Sequence, residues 1–263
     1  MDTMSGSRRT TYDARGLAEP HAEVPKVSDI HGATAGFDAT DLTTRQINLE
    51  LRWLIYEQGI RDVTVRNPGA KHSIGVGILQ RCKIRFEGSL GYFGLGLNDG
   101  PEITVTGRVG WSSCENMMSG VVVIEKNAGS LTGAAMRGGD LIVKGSVGAR
   151  TGIDQKGGTI VVGGDAGTMT AFMMQRGRQI ILGDVGPGLG DSMYEGSIYV
   201  AGKVKSLGID CVEGEWTDAD TEMIDRKFRI YGLGDPPTFQ KFVCGKMLYN
   251  SDNLEPSEKK YVI

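Results

Sequence analysis

The apolar residues between positions 84 and 204 recur with a period of nineteen residues. They alternate with polar residues in the two-residue rhythm of a strand that has one buried face. One column of such positions consists of Phe86, Val105, Ile124, Val143, Val162, Ile181 and Val200. Two more columns keep the same phase: Ile84, Ile103, Val122, Leu141 and Ile160, then Leu90, Val109, Ala128, Val147, Ala166, Val185 and Val204. A fixed long period of this kind indicates one structural unit used repeatedly.

Glycines follow the same period in three ladders. The first ladder is Gly91, Gly110, Gly129, Gly148, Gly167 and Gly186. The second is Gly88, Gly107, Gly145, Gly164, Gly183 and Gly202, with Lys126 at its third step. The third is Gly120, Gly139, Gly158, Gly177 and Gly196, with Pro101 one period earlier. We interpret these glycines as corners where the backbone needs a positive φ or leaves no room for a Cβ.

A unit of nineteen residues is too short for a strand followed by a crossover helix, which takes roughly 30 residues or more. It fits one coil of a solenoid whose strands pair with their equivalents in the next coil. The sequence therefore predicts an all-β solenoid, a right-handed parallel β-helix with about seven 19-residue coils, capped by short N- and C-terminal helices. A fourth column, broken by Gln155, is interpreted as core packing: Met117, Met136, Met174 and Met193.

Two helices are predicted outside the repeat. Residues 43–59 have apolar positions at helical spacing, a capping box of Thr43 with Gln46, and a terminating Gly59. This helix is expected to cover the open N-terminal end of the solenoid. The stretch Trp216–Tyr231 is predicted to form a second helix, which begins at Thr217 or Asp218.

These elements divide the chain into four parts. Residues 1–40 are a polar N-terminal arm, residues 41–60 the capping helix, residues 61–210 the parallel β-helix, and residues 211–263 the C-terminal helix and a tail. The tail, residues 238–263, is expected either to pack on a neighbouring surface or to be unstructured. Residues 60–83 are read as an imperfect first coil. In that coil Val65 stands one period before Ile84 and His72 replaces a ladder glycine.

Composition excludes several classes of protein. The net charge of −3 argues against nucleic acid as a principal partner. No stretch is apolar enough to predict a membrane span, and the N-terminus has no apolar leader, so we expect a cytoplasmic location. The cysteines are widely spaced and form no CxxC motif, which favours reduced thiols over a disulfide scaffold or a metal framework. They are Cys82, Cys114, Cys211 and Cys244.

The search for chemistry identifies no catalytic, cofactor-binding or metal-ligating residue. The glycine-rich runs 91–96 and 186–190 lack the following helix that a phosphate loop needs. The acidic residues do not fall in one column, so a pair of carboxylates for polysaccharide cleavage is not indicated. Among the histidines His21, His31 and His72, only His72 stands out, beside Lys71 at the start of the cylinder. Whether His72, Tyr92 or Phe93 contacts a partner's active site is left open.

Several stretches resemble the GXGXG β-helix domain, which occurs in the large subunit of glutamate synthase and as a separate subunit of formylmethanofuran dehydrogenase. They are Phe86–Gly91, Val105–Gly110, Met118–Gly120, Arg137–Asp140 and Val162–Gly167. A separate chain of this size is similar to the β-helix part of three-subunit glutamate-synthase-like enzymes, and most similar to that of N-methylglutamate synthase. The segments Tyr92–Gly96 and Val109–Ser113 depart from the runs usual in the large subunit, which favours a divergent branch.

The resemblance implies a non-catalytic scaffold in a hetero-oligomer. It would join a class II amidotransferase-like subunit to a glutamate-synthase-like subunit that carries FMN and an iron–sulfur cluster. The implied reaction converts methylamine and L-glutamate to N-methyl-L-glutamate and ammonia. The alternatives are the β-helix subunit of a type III glutamate synthase and that of a formylmethanofuran-dehydrogenase-type C1 complex. A self-sufficient carbohydrate-active β-helix is a third, different class.

Overall fold

The structure is a computed structural model that describes residues 23–246. Its helices are α1 (Thr44–Arg52), continued by a π-helical turn (Trp53–Glu57), and α2 (Asp218–Tyr231). Its strands are β1 (Asp29–His31), β2 (Thr34–Asp38), β3 (Asp62–Arg66), β4 (Lys83–Glu87), β5 (Asp99–Val105), β6 (Ser119–Ile124), β7 (Asp140–Val143), β8 (Lys156–Val162), β9 (Arg176–Ile181), β10 (Val185–Leu189), β11 (Ser197–Val200), β12 (Val204–Leu207), β13 (Cys211–Glu213) and β14 (Gln240–Cys244). The parts of the predicted arm and tail at 1–22 and 247–263 lie outside the described residues.

One large sheet forms the main wall of a parallel β-helix, as the period predicts. Eight successive pairings, from β2–β3 to β9–β11, are parallel. Equivalent residues stack in register, so Phe86 pairs with Val105 and Leu141 with Ile160. A second wall is built from single bridges such as Leu90 to Val109, and ends in the pair β10–β12. The all-β solenoid is confirmed.

The first coils are longer than the repeat. Thr34 pairs with Asp62 because α1 and its π-helical turn are inserted between β2 and β3. The next step is also longer than nineteen residues, since Val63 pairs with Ile84. Val65 therefore stacks on Phe86, and the predicted alignment of Val65 with Ile84 is off by one inward position.

The sheet begins inside the segment expected to be a polar arm. Strand β1 folds back antiparallel on β2, and β2 pairs with β3. Alternate residues of β2, Ala35 and Phe37, point into the core and are buried. This strand has two apolar anchors and lies before the regular period, so the repeat did not reveal it.

Helix α1 covers the N-terminal end, as expected. Thr43 caps it, and the predicted box with Gln46 forms. Ile47 and Leu51 are fully buried against the first coil. The side chain of Asn48 donates to the Ser73 carbonyl at 2.8 Å and accepts from the Gly75 amide at 2.9 Å. Asn48 thus pairs with backbone groups at the end of the solenoid, where no earlier coil is available to bond them.

The glycine ladders meet two different constraints. A Cβ on Gly148 would lie 2.5 Å from the amide nitrogen of Ser130 in the previous coil, so contact between coils requires glycine there. At Gly139 a Cβ would likewise lie 2.5 Å from the Gly120 carbonyl oxygen, and the φ of +82° is one that residues with a side chain rarely adopt. At the start of this third ladder the left-handed residue is Gly100, not Pro101, because a bulge shifts the register between β5 and β6.

The methionine column lies in the core as predicted. Gln155 occupies one position of this column and is also fully buried. Gln155 meets a second buried amide, Gln179, whose Nε2 donates to Gln155 Oε1 at 3.1 Å. Gln179 interrupts the column that contains Ile160 and Ile198. Its Oε1 has no hydrogen-bond partner within the described part of the chain. A Cβ at Gly152 would be 2.0 Å from Gln179 Nε2, so glycine at that corner makes room for the amide.

The C-terminal helix lies across the outer face of the main sheet. Thr217 caps α2, and Gly232 ends it in the left-handed conformation. Ile224 and Phe228 pack on outward-facing residues of the sheet, namely Ile142, Val161, Ile180 and Tyr199. The C-terminal end of the sheet is closed by strands, since β14 pairs antiparallel with β11 and β13 with β14. Residues 240–244 of the predicted tail are therefore part of the sheet.

Candidate functional site

Three aromatic rings form a stack along one edge of the first coils, which we call the aromatic stack. His72 and Tyr92 have ring centroids 4.6 Å apart and an interplanar angle of 16°. Tyr92 and Trp111 follow at 5.4 Å and 17°. The three residues occupy equivalent positions in successive coils, so the solenoid spacing itself brings the rings face to face.

The backbone around the aromatic stack fixes its first ring. The imidazole Nδ1 of His72 accepts a hydrogen bond from the amide of Tyr92 at 2.9 Å. In a neutral ring this places the proton on Nε2. A Cβ at Gly91 would lie 2.2 Å from that Nδ1, so the ladder glycine leaves the space that the imidazole fills. His72 is therefore a positioned ring rather than a mobile surface histidine.

The aromatic stack is an exposed apolar feature in the N-terminal part of the solenoid. Tyr92 is 51% exposed and Trp111 is 56% exposed. The next positions of the same column carry no aromatic ring, as the backbone pairing shows for Ser130, Ala149, Thr168 and Pro187. Large exposed aromatic side chains at one place are typical of protein–protein contact sites.

The structure brings two of the residues left open by the sequence together and separates the third. His72 and Tyr92 are in contact, whereas Phe93 turns away and its ring covers Gly96. Trp111 was missed as a candidate, although it lies one period after Tyr92 and could have been found from the repeat. His31 belongs to β1 and takes no part, and His21 lies outside the described residues.

A charged groove of about 570 Å³ lies on the outer face at the beginning of strands β2 to β6. Three cations and two carboxylates line it: Arg61, Arg81, Lys83, Asp62 and Glu102. The buried thiol of Cys82 also borders the groove. Burial raises its pKa to about 11, against a smaller opposing effect of Arg61. Cys82 is a neutral thiol near pH 7 and a poor nucleophile.

The described residues offer little catalytic chemistry. Within residues 23–246, no cluster of three or more His, Cys, Asp and Glu side chains is arranged to hold a metal ion. In the same part of the chain, neither helix has the length and apolar content needed to cross a membrane. All four cysteines are free, and burial raises the pKa of Cys114 to about 12. The two exposed features described above are the aromatic stack and the charged groove.

The chain is similar over most of its length to a known bacterial protein. Protein GlxC of Rhizobium meliloti (strain 1021) is 48% identical to this chain over 217 residues. The aligned region covers 80% of this chain and 94% of that protein. No family model matches the chain. The similarity therefore extends over nearly all of the relative rather than over one shared motif.

Proposed function

This chain belongs to the family of Protein GlxC, and from that premise we propose that it is a non-catalytic scaffold subunit of a glutamate-synthase-like heteromeric complex. Its role is to hold an amidotransferase-like subunit and an FMN and iron–sulfur synthase subunit in fixed relative positions. The complex we favour is N-methylglutamate synthase, which forms N-methyl-L-glutamate and ammonia from methylamine and L-glutamate.

The observation that carries the proposal is the aromatic stack on a rigid solenoid. Tyr92 and Trp111 are large, half-exposed and preordered by stacking, so a partner can bury them with little loss of conformational entropy. The interior of the solenoid is filled by the buried columns of the core. A protein with a filled interior and ordered apolar groups on its surface is suited to binding other proteins.

The partner subunits supply the chemistry in this proposal. FMN and the iron–sulfur cluster belong to the synthase subunit, and the amidotransferase-like subunit handles the nitrogen donor. The described residues of this chain would contribute shape and contact surface. Two surfaces of different character support a bridging role, since the aromatic stack consists of exposed rings and the charged groove is bordered by five charged side chains.

The test is co-purification of the full, tagged chain from its source. We expect two further subunits on mass spectrometry and an absorbance spectrum of a flavin with an iron–sulfur cluster. Assays with methylamine or glutamine as the nitrogen donor then separate N-methylglutamate synthase from a type III glutamate synthase. Metal-dependent hydrolase-like partners would instead identify a formylmethanofuran-type complex. A colourless chain without partners would refute the scaffold proposal.

The aromatic stack is tested in the same preparation with a double variant, Tyr92→Ala with Trp111→Ala. We expect at least one partner to be lost, with an affinity decrease of about tenfold or more. Ile230→Ala is the matched control, because Ile230 is 54% exposed on α2, an element distinct from the stack. Normal partner binding by the double variant would show that the stack is not the contact site, even where the complex itself is found.

A further inference from the structure

Two cysteines that are far apart in the sequence lie directly opposite each other in the structure. Cys211 is the first residue of β13 and Cys244 the last residue of β14, and the two are paired in register. Cys211 is 5% exposed, whereas Cys244 is half-buried. Because cross-strand partners project to the same face of a sheet, their side chains emerge side by side.

The hydrogen bonds on each side define the type of pair. The amide of Gly245 donates to the Asp210 carbonyl at 2.7 Å, and that of Gly214 to the Lys241 carbonyl at 2.9 Å. With this pattern Cys211 and Cys244 form a non-hydrogen-bonded antiparallel pair, in which Cα atoms are about 4.5 Å apart. A disulfide needs a Cα separation of roughly 4.4–6.8 Å. The backbone is therefore already at a distance that a disulfide can span.

The two sulfur atoms lie near residues of the same turn. The Sγ of Cys244 lies 3.1 Å from the carbonyl oxygen of Met193. The Sγ of Cys211 lies 2.8 Å from the position that a Cβ on Gly190 would occupy. Both thiols thus lie against the turn formed by residues 190–193. We propose that Cys211 and Cys244 are a modification site, at which a low-molecular-weight disulfide oxidises the two thiols to an intramolecular disulfide.

The reaction is an exchange of disulfides in two steps. The half-buried Cys244, as thiolate, attacks one sulfur of the small disulfide, and the first small thiol leaves. The mixed disulfide on Cys244 is then attacked by the Cys211 thiolate, which releases the second small thiol. One protein disulfide forms and one small disulfide is reduced to two thiols, so electrons and protons balance. Burial raises the pKa of Cys211 to about 12, so its thiolate is scarce near pH 7, and the second step relies on the proximity of the two sulfur atoms and is faster at higher pH.

The cross-link would enclose all of α2. Residues 211–244 contain that helix and the strand that closes the C-terminal end of the sheet. A disulfide restricts the unfolded states of the segment that it closes. In the oxidised protein, α2 would therefore separate less readily from the outer face of the sheet. This property concerns thiols within one chain and does not depend on the partners proposed above.

The experiment uses the full chain and oxidised glutathione as the probe. We expect the intact mass to fall by two hydrogens and a proteolytic peptide to link Cys211 with Cys244, both reversed by dithiothreitol. Cleavage by a protease between residues 211 and 244 should slow by about tenfold or more in the oxidised form. A double variant, Cys82→Ser with Cys114→Ser, should form the same link.

Several results would overturn the proposal. These are a glutathione adduct on Cys244 that persists without the link, a link that uses Cys82 or Cys114, and a link between two chains. Cys244→Ser should abolish the cross-link and the protection from protease. Peptide mapping of the unaltered chain decides the question even if a cysteine variant does not fold.

Discussion

The outer face of the main sheet differs between its two ends, although one column of residues runs through both. In the N-terminal coils this column consists of Thr64, Arg85 and Thr104. The charged groove lies on this part of the outer face. In the C-terminal coils the same column is buried under α2. Its members there are Ile142, Val161, Ile180 and Tyr199.

The strand sequences account for this difference between the two ends. Strand β4 alternates, with its outward residues exposed and its inward residues buried. Strand β8 ends in four successive buried residues and β9 in three. A strand that is apolar on both faces needs a cover on each, as in sheets flanked by helices. The same repeat therefore forms a sheet with an exposed outer face at its N-terminal end and a sheet covered by a helix at its C-terminal end.

Ionic contacts hold helix α2 on the sheet near both ends of the helix. Near the start of α2, Asp220 accepts from Lys241 at 2.8 Å and from the Tyr199 hydroxyl at 2.5 Å. Near its end, Lys227 donates to Asp140 at 2.6 Å, and the Tyr231 hydroxyl also bonds that carboxylate. Burial and the bond to Asp140 raise the pKa of Tyr231. The hydrogen-bond donors and carboxylates of these buried groups pair with one another, and this pairing favours one placement of the helix.

The largest expected effect comes from placing a charge between the main sheet and helix α2. Ile180→Asp should lower the free energy of unfolding by about 4 kcal/mol or more, because a carboxylate would be buried without a partner. Thr104→Asp, in the same column of the open half, should cost less than about 1 kcal/mol. Urea unfolding of both variants measures the contrast. Equal losses would mean that the two halves of the face are not distinct.

A smaller effect is expected from breaking a buried ion pair. Asp220→Asn leaves Lys241 charged and buried, and should cost about 3 kcal/mol. The control is Glu102→Gln in the open half, where the Lys83–Glu102 pair is 3.9 Å long with both side chains more than 60% exposed. That change should cost less than about 1 kcal/mol. The same unfolding assay applies, and a similar loss for both would contradict the role of burial.

The smallest of the three effects depends on pH. Burial opposes the charge on Asp220, but the bonds from Lys241, Tyr199 and Thr217 outweigh it and lower its pKa to about 2 from the ordinary value of 3.8. A depressed pKa stabilises the folded protein above the unfolded pKa, and this stability is lost as pH falls towards 2. The difference between the native chain and Asp220→Asn should shrink by about 2 kcal/mol between pH 5 and pH 2. A constant difference would exclude Asp220 as the titrating group.

The candidate site was only partly predictable. His72 and Tyr92 drew notice in the sequence for different reasons, and nothing local showed that they stack. Their contact depends on the longer first coil, which moves His72 from beside Gly91 into register with Tyr92. Trp111 follows from the nineteen-residue period, which was applied to apolar core positions and glycines but not to exposed aromatic residues. The charged groove joins residues from five strands and has no sequence motif.

The repeat and the helix caps were determined by the sequence alone, because they depend on neighbours along the chain or on a strict period. The stacked core columns, the glycine corners and the Thr43 and Thr217 caps are of this kind. Only the tertiary structure decided the return of β14 onto β11, the docking of α2 on the sheet and the meeting of Cys211 with Cys244. Those contacts join segments separated by non-repeating chain, where no periodicity fixes the register and burial of the remaining apolar surface makes the choice.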